Sequence, residues 1–233
     1  MKELKLTKSN EMELIDFKNE GLEWRVGVDG SKIWMGKLNA PKNISAQPQH
    51  HNTAEVALYL LKGGAKLFYG DNLNQSRVVK EGDFVYIPPH ATYKLETSEQ
   101  EAEFVVSMSP QFFCEVINEN DFKKKTNEEI NFVDSTNLND STNQTSNMPR
   151  KTGVESEHLW VGRVTGEPSK DSGKHHHGEA DTGGYIISGQ TRILYGDNYE
   201  QYHDFVPGDF VHVPPYIPHI ERNMSPDVPV EFV

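Results

Sequence analysis

The residues best suited to chemistry are three histidines. His175 and His177 stand two apart in Lys174-His175-His176-His177-Gly178-Glu179-Ala180-Asp181. On a strand, alternate side chains share a face, so these two rings point together while His176 points away. His219 follows Pro214-Pro215 on what reads as the paired strand. A third imidazole from a neighbouring strand completes a facial set with positions left open. That set suits Fe(II), Mn(II), Ni(II), Cu(II) or Zn(II).

Such a set needs a frame, and the chain repeats one. Ile33-Trp34-Met35-Gly36-Lys37 matches Leu159-Trp160-Val161-Gly162-Arg163 at an offset of 126, as His50-His51 matches His176-His177. Gly70-Asp71-Asn72 recurs as Gly196-Asp197-Asn198, and Gly82-Asp83-Phe84-Val85 as Gly208-Asp209-Phe210-Val211, still 126 apart. Glu103-Phe104-Val105 returns as Glu231-Phe232-Val233 after a slip to 128. A repeat of this length marks a duplicated structural unit. Each copy holds short β-rich runs entered by Gly-Asp and stopped by Pro-Pro, a pattern of antiparallel strands in a sandwich or barrel, present twice. Residues 10–20 read as a short helix, and 111–130 as a strand and short helix closing the first unit. From Asp134 to Asn147 the only apolar residue is Leu138. Residues 131–152 therefore read as a mobile polar linker between an N-terminal domain, 1–130, and a C-terminal domain, 153–233.

These motifs resemble the cupin superfamily, whose first motif carries His-x-His, a nearby Glu and a Gly, and whose second carries Gly-Asp, Pro and His. His175, His177, Gly189, Gly208, Asp209, Pro214, His219 and Asn223 stand at matching positions. With the repeat, the chain looks like a bicupin, the resemblance covering about 33–107 and 159–233. It implies an all-β fold of two tandem double-stranded β-helix (jelly-roll) barrels, with His175, His177 and His219 as metal ligands. The family's acid position holds Thr182, and the nearest acids are Asp181 and Glu179. Asp181 aligns with Glu55 across the repeat and is the preferred fourth ligand, a bulge being needed to turn it inward. Glu179 or Asp181, where not a ligand, is the candidate general base. Tyr216 replaces the second motif's glycine.

The first copy keeps the frame and loses the site: Gln49 replaces His175, His51 matches His177, and Tyr93 replaces His219. Gln and Tyr are poor ligands beside one imidazole, so this unit reads as structural or as binding a neutral ligand. His212 alternates with Val211 and Val213 and is assigned no ligand role. Trp34 and Trp160 read as barrel packing. Cys114 has no histidine at a spacing suited to nucleophilic catalysis.

Composition narrows the function. A net charge of −12 disfavours binding to nucleic acid. No apolar run approaches the roughly 20 residues needed to span a bilayer. The single cysteine allows no intramolecular disulfide, and the start, Met1-Lys2-Glu3-Leu4-Lys5, lacks a signal peptide's apolar stretch, so the expected compartment is the cytoplasm. No phosphate-cradling glycine loop or Gly-x-Ser-x-Gly elbow is present. The expected function is that of a metal-dependent enzyme on a small organic molecule: dioxygenase-, isomerase- or cyclase-like, with the site in the C-terminal unit. A non-catalytic small-molecule-binding bicupin is the alternative. The expected assembly is a monomer with an internal pseudo-dimer, or a homodimer.

Overall fold

Alternation of apolar and polar residues between Gly, Pro and Asn turns makes this an all-β chain. The computed structural model describes residues 3–17, 19, 21–118 and 129–233. The strands of the first half are β1 (Lys5–Thr7), β2 (Glu13–Leu14), β3 (Glu23–Asp29), β4 (Trp34–Ala40), β5 (Gln49–His50), β6 (Glu55–Tyr69), β7 (Gln75–Lys80), β8 (Phe84–Ile87), β9 (Lys94–Glu96), β10 (Ala102–Ser109) and β11 (Glu115–Val116). Those of the second are β12 (Asn131–Val133), β13 (Asn139–Asp140), β14 (Arg150–Glu155), β15 (Trp160–Gly166), β16 (Thr182–Ser188), β17 (Thr191–Tyr195), β18 (Gln201–Phe205), β19 (Phe210–Val213), β20 (His219–Asn223) and β21 (Val230–Phe232).

Two sheets share one strand order. The first runs β12-β8-β6-β10-β4-β3-β2 and the second β1-β19-β16-β21-β15-β14-β13. Equivalent strands occupy equivalent places, so the structural repeat starts near residue 5, well before the part visible in sequence. The leading strands are exchanged. β12 pairs with β8 of the first unit through Asn131↔Tyr86, and β1 pairs with β19 of the second through Lys5↔His212. Just beyond each exchanged strand, the Asp of a Gly-Asp turn accepts a backbone N–H: Ser135 to Asp83 Oδ1 at 2.9 Å and Ser9 to Asp209 Oδ1 at 3.1 Å.

Reciprocity continues inward. One buried cluster draws Val28, Met35, Tyr59 and Phe84 from the first unit and Val154, Val161, Tyr185 and Phe210 from the second. Each such burial contributes roughly 1.5–3 kcal/mol. Close approach depends on two glycines: a Cβ on Gly27 would stand 2.4 Å from the Phe210 ring, and one on Gly153 2.5 Å from the Phe84 ring. Each unit also has its own core, one around Trp24, Trp34, Leu58 and Phe104, the other around Ile186, Ile193, Phe205 and Phe232.

Two sequence expectations change. Residues 10–20 form no helix among their described members, because Glu13–Leu14 pairs with β3 as a strand. The polar span 131–152 carries β12, a 3-10 turn at Ser135–Asn137, β13 and the first residues of β14. Leu138 and Met148 pack on the cores, and polar side chains add hydrogen bonds: Gln144 Nε2 donates to Ser141 O at 2.7 Å and Asn147 Nδ2 to Asp171 O at 2.8 Å. In 111–130 the expected strand is β11, paired with β5; the expected helix falls largely on 119–128, outside the described residues. No helix among the described residues is long and apolar enough to cross a membrane.

Candidate metal centre

Backbone pairing brings the three histidines together. His175 lies directly opposite His219, the His219 N–H donating to His175 O at 2.9 Å and the His175 N–H returning to His219 O at 3.2 Å. His177, two residues on, shares the face of His175. Ring centroids are 4.4 Å apart for His175–His219, 4.9 Å for His177–His219 and 5.2 Å for His175–His177.

The fourth member is Glu221, which sequence reading missed. It follows His219 by two residues on β20, so period two places both on one face. The rule that paired His175 with His177 would have found it. One ligand atom from each of His175, His177, His219 and Glu221 lies within 4.8 Å of every other. Asp181, the preferred acid, does not join them. Its Oδ1 meets His212 Nε2 at 2.7 Å, and its Oδ2 accepts the Ser31 and Lys32 N–H groups at 2.5 and 2.9 Å. No bulge turns it inward, because those donors from the first unit hold it at the contact between units. Glu179 is exposed, accepting the Tyr216 hydroxyl at 3.2 Å, and sits outside the cluster. Neither acid is a member of the four-residue cluster. Tyr216 keeps the left-handed turn, at φ 63°, that the motif's glycine would adopt.

The cluster is built to accept a cation. Each Nδ1 is engaged: His175 with Gly173 O at 3.2 Å, His219 with Ile217 O at 2.9 Å, and His177 with Thr182 Oγ1 at 2.7 Å. A carbonyl can only accept, so His175 and His219 carry a proton on Nδ1, which leaves Nε2 as the atom to meet an ion. Thr182, at the family's acid position, orients a ligand instead of being one. The three Nε2 atoms and Glu221 Oε2 are buried without any hydrogen-bond partner. Four orphaned polar atoms aimed at one point are costly unless an ion completes them.

The charges agree. Burial holds His177 down at about 3, and burial likewise lowers His175. Burial also acts on His219, but the Glu221 carboxylate, 3.4 Å away, outweighs it and raises that ring. Burial works to raise Glu221, yet His219 and His175 bring it down to about 2. The carboxylate is therefore ionised and two rings are neutral, a donor set suited to a divalent ion.

In the first unit the equivalent place is closed. Gln49 lies opposite Tyr93 as His175 lies opposite His219. Gln49 Nε2 donates to the Tyr93 hydroxyl at 2.6 Å, and that hydroxyl lies 2.9 Å from His51 Nε2. His51 Nδ1 donates to Phe113 O at 2.5 Å, so the hydroxyl proton goes to Nε2. Asn19 Nδ2 completes the chain on Gln49 Oε1 at 2.8 Å. Gln49, His51, Tyr93 and Asn19 thus satisfy one another there.

Residues 162–233 match the family model described as Cupin domain. Among solved structures, the chain is similar to Lactobacillus farciminis oxalate decarboxylase in its formate complex: TM-score 0.74 and 12% identity, covering all of this chain and 85% of that one. A deletion variant of Bacillus subtilis oxalate decarboxylase gives TM-score 0.70 at 15% identity, covering 97% of this chain and 75% of that one. A structure of the Bacillus subtilis enzyme concerned with its Mn(II) centres gives 0.68 at 14%, with the same coverage. At these identities the likeness establishes the fold: the jelly roll of the cupins. No curated protein sequence matches the chain significantly.

Proposed function

We propose that the chain is a bicupin, two tandem double-stranded β-helix barrels, and a metal-dependent enzyme acting on a small organic molecule in the second barrel. The carrying observation is the convergence of four buried, unpartnered ligand atoms from His175, His177, His219 and Glu221. A divalent transition-metal ion there supplies Lewis acidity toward an enolate, catecholate or carboxylate oxygen. Mn(II) is the first candidate, by likeness to the decarboxylases. The chain's own residues hold and orient: Gly173, Ile217 and Thr182 fix the three rings, and Glu221 offsets part of the ion's charge. The first barrel, where Gln49, His51 and Tyr93 satisfy one another, serves as a packing partner.

The test is a reaction panel on protein purified without a histidine tag and loaded with Mn(II), Fe(II) or Ni(II). Oxygen uptake with diketones and flavonols, and carbon dioxide and formate release from oxalate, cover the main chemistries. Activity that disappears in His219→Ala supports the reading. A metal-loaded chain that binds these compounds and turns none over is instead a binding module.

A further inference from the structure

Arg150 stands apart from every other arginine in the chain. Arg25, Arg77, Arg163, Arg192 and Arg222 each hold a carboxylate, at 2.7–3.0 Å. Arg150 holds none among the described residues, and its Nε is buried without a partner. Its backbone is pinned: the N–H donates to Gln144 Oε1 at 2.8 Å and the carbonyl accepts from Ser141 N at 2.9 Å. The side chain is therefore anchored at its root and unpaired at its head.

The repeat says where that head stands. Arg150 pairs with Val164 in register, as Trp24 pairs with Leu38, 126 residues earlier. Val164 packs on the core of the second unit, so Arg150, directly opposite, faces the same interior. Trp24 is fully buried and sets its ring edge-on to His51, centroids 6.1 Å apart. His51 is the counterpart of His177. The place that an indole fills beside the closed site is held by a guanidinium beside the open one. Electrostatics agrees: burial works against the Arg150 charge, the Glu221 carboxylate supports it, and Arg150 in turn depresses all three histidines.

We propose that Arg150 makes the centre selective for small carboxylates, its unpaired guanidinium supplying the counter-charge and paired donors for a carboxylate held at the four-residue cluster. This rests on the metal-centre reading above. A planar fork of N–H groups matches a carboxylate, and pairing it recovers the cost of leaving a buried cation alone.

The test uses the full chain loaded with Co(II), whose visible spectrum reports ligands entering the coordination sphere. Acetate, oxalate and the neutral acetamide are titrated into wild type, Arg150→Gln and Arg150→Lys. Wild type is expected to bind both carboxylates and to prefer acetate to acetamide. Arg150→Gln is expected to lose at least tenfold in carboxylate affinity, with acetamide binding and Co(II) stoichiometry unchanged, and Arg150→Lys to fall between. Equal carboxylate affinity in Arg150→Gln, or an equal loss for acetamide, overturns the proposal and leaves Arg150 as a balance for Glu221. Should Arg150→Gln fail to fold, Arg150→Lys decides: the lost bidentate geometry must weaken oxalate more than acetamide. A wild-type chain that takes up no Co(II) contradicts the metal centre itself, a failure separate from the others.

Discussion

Tyr93 and His219 occupy equivalent places, and the contrast between them defines what a single side chain decides here. Tyr93 closes a hydrogen-bond network, whereas His219 Nε2 has no hydrogen-bond partner. Tyr93→Phe strands Gln49 Nε2 and His51 Nε2 in a buried site. It is expected to cost about 1–3 kcal/mol in chemical denaturation while metal content stays unchanged. The histidines also set the pH dependence of the metal-free chain. Burial holds His51 at about 4 and His177 at about 3, against 6.5 for a free imidazole. Below pH 6.5 the unfolded chain therefore binds more protons than the folded one. Stability from these two rings is complete above that pH and falls steadily toward pH 4. His175 is lowered too and adds to them, while His219, held up by Glu221, works in the opposite sense, one ring against three. Denaturation midpoints at pH 7.5, 5.5 and 4.5 should decline in that order; a flat series would show that these rings are not buried neutral.

Strand exchange and the cross-unit acids belong to the level of elements. Glu55 accepts Ser156 Oγ and His158 N from the second unit at 2.9 and 3.0 Å, mirroring Asp181 with Ser31 and Lys32. Each acid is a latch on the other unit's β-hairpin. Asp181→Ala is thus expected to lower stability by about 2–3 kcal/mol and leave metal stoichiometry intact. Loss of metal with unchanged stability would restore Asp181 as a ligand. The sequence alignment of Asp181 with Glu55 was real, but a shared position records a shared contact, and that contact proved to be the interface. The turns, the Gly-Asp and Pro-Pro punctuation and the three histidines were legible because glycine, proline and period two act locally. The exchange was not, because Lys5-Leu6-Thr7 and Asn131-Phe132-Val133 share no residue and only pairing reveals their kinship. The polar span after Val133 misled for a related reason: hydrogen bonds to distant backbone leave no mark in composition.

At the scale of the whole molecule, neither unit is complete alone. The second borrows β1, and the cluster between the units takes its residues from both. A fragment of residues 150–233 is expected to aggregate or dimerise, since it lacks β1 and uncovers Tyr185 and Phe210. A soluble, monomeric, metal-loaded fragment would contradict that. A cleavage in 141–147 should leave both pieces associated on a sizing column, because the N-terminal piece still pairs β1 with β19 and β13 with β14 of the other. The duplication also leaves one closed hydrogen-bond network and one open cluster of ligand atoms. Elemental analysis of the untagged full chain beside a His177→Ala, His219→Ala double variant tests this division most directly. One ion per chain in wild type and none in the variant is the expected result; two ions per wild-type chain, or undiminished metal in the variant, would contradict it.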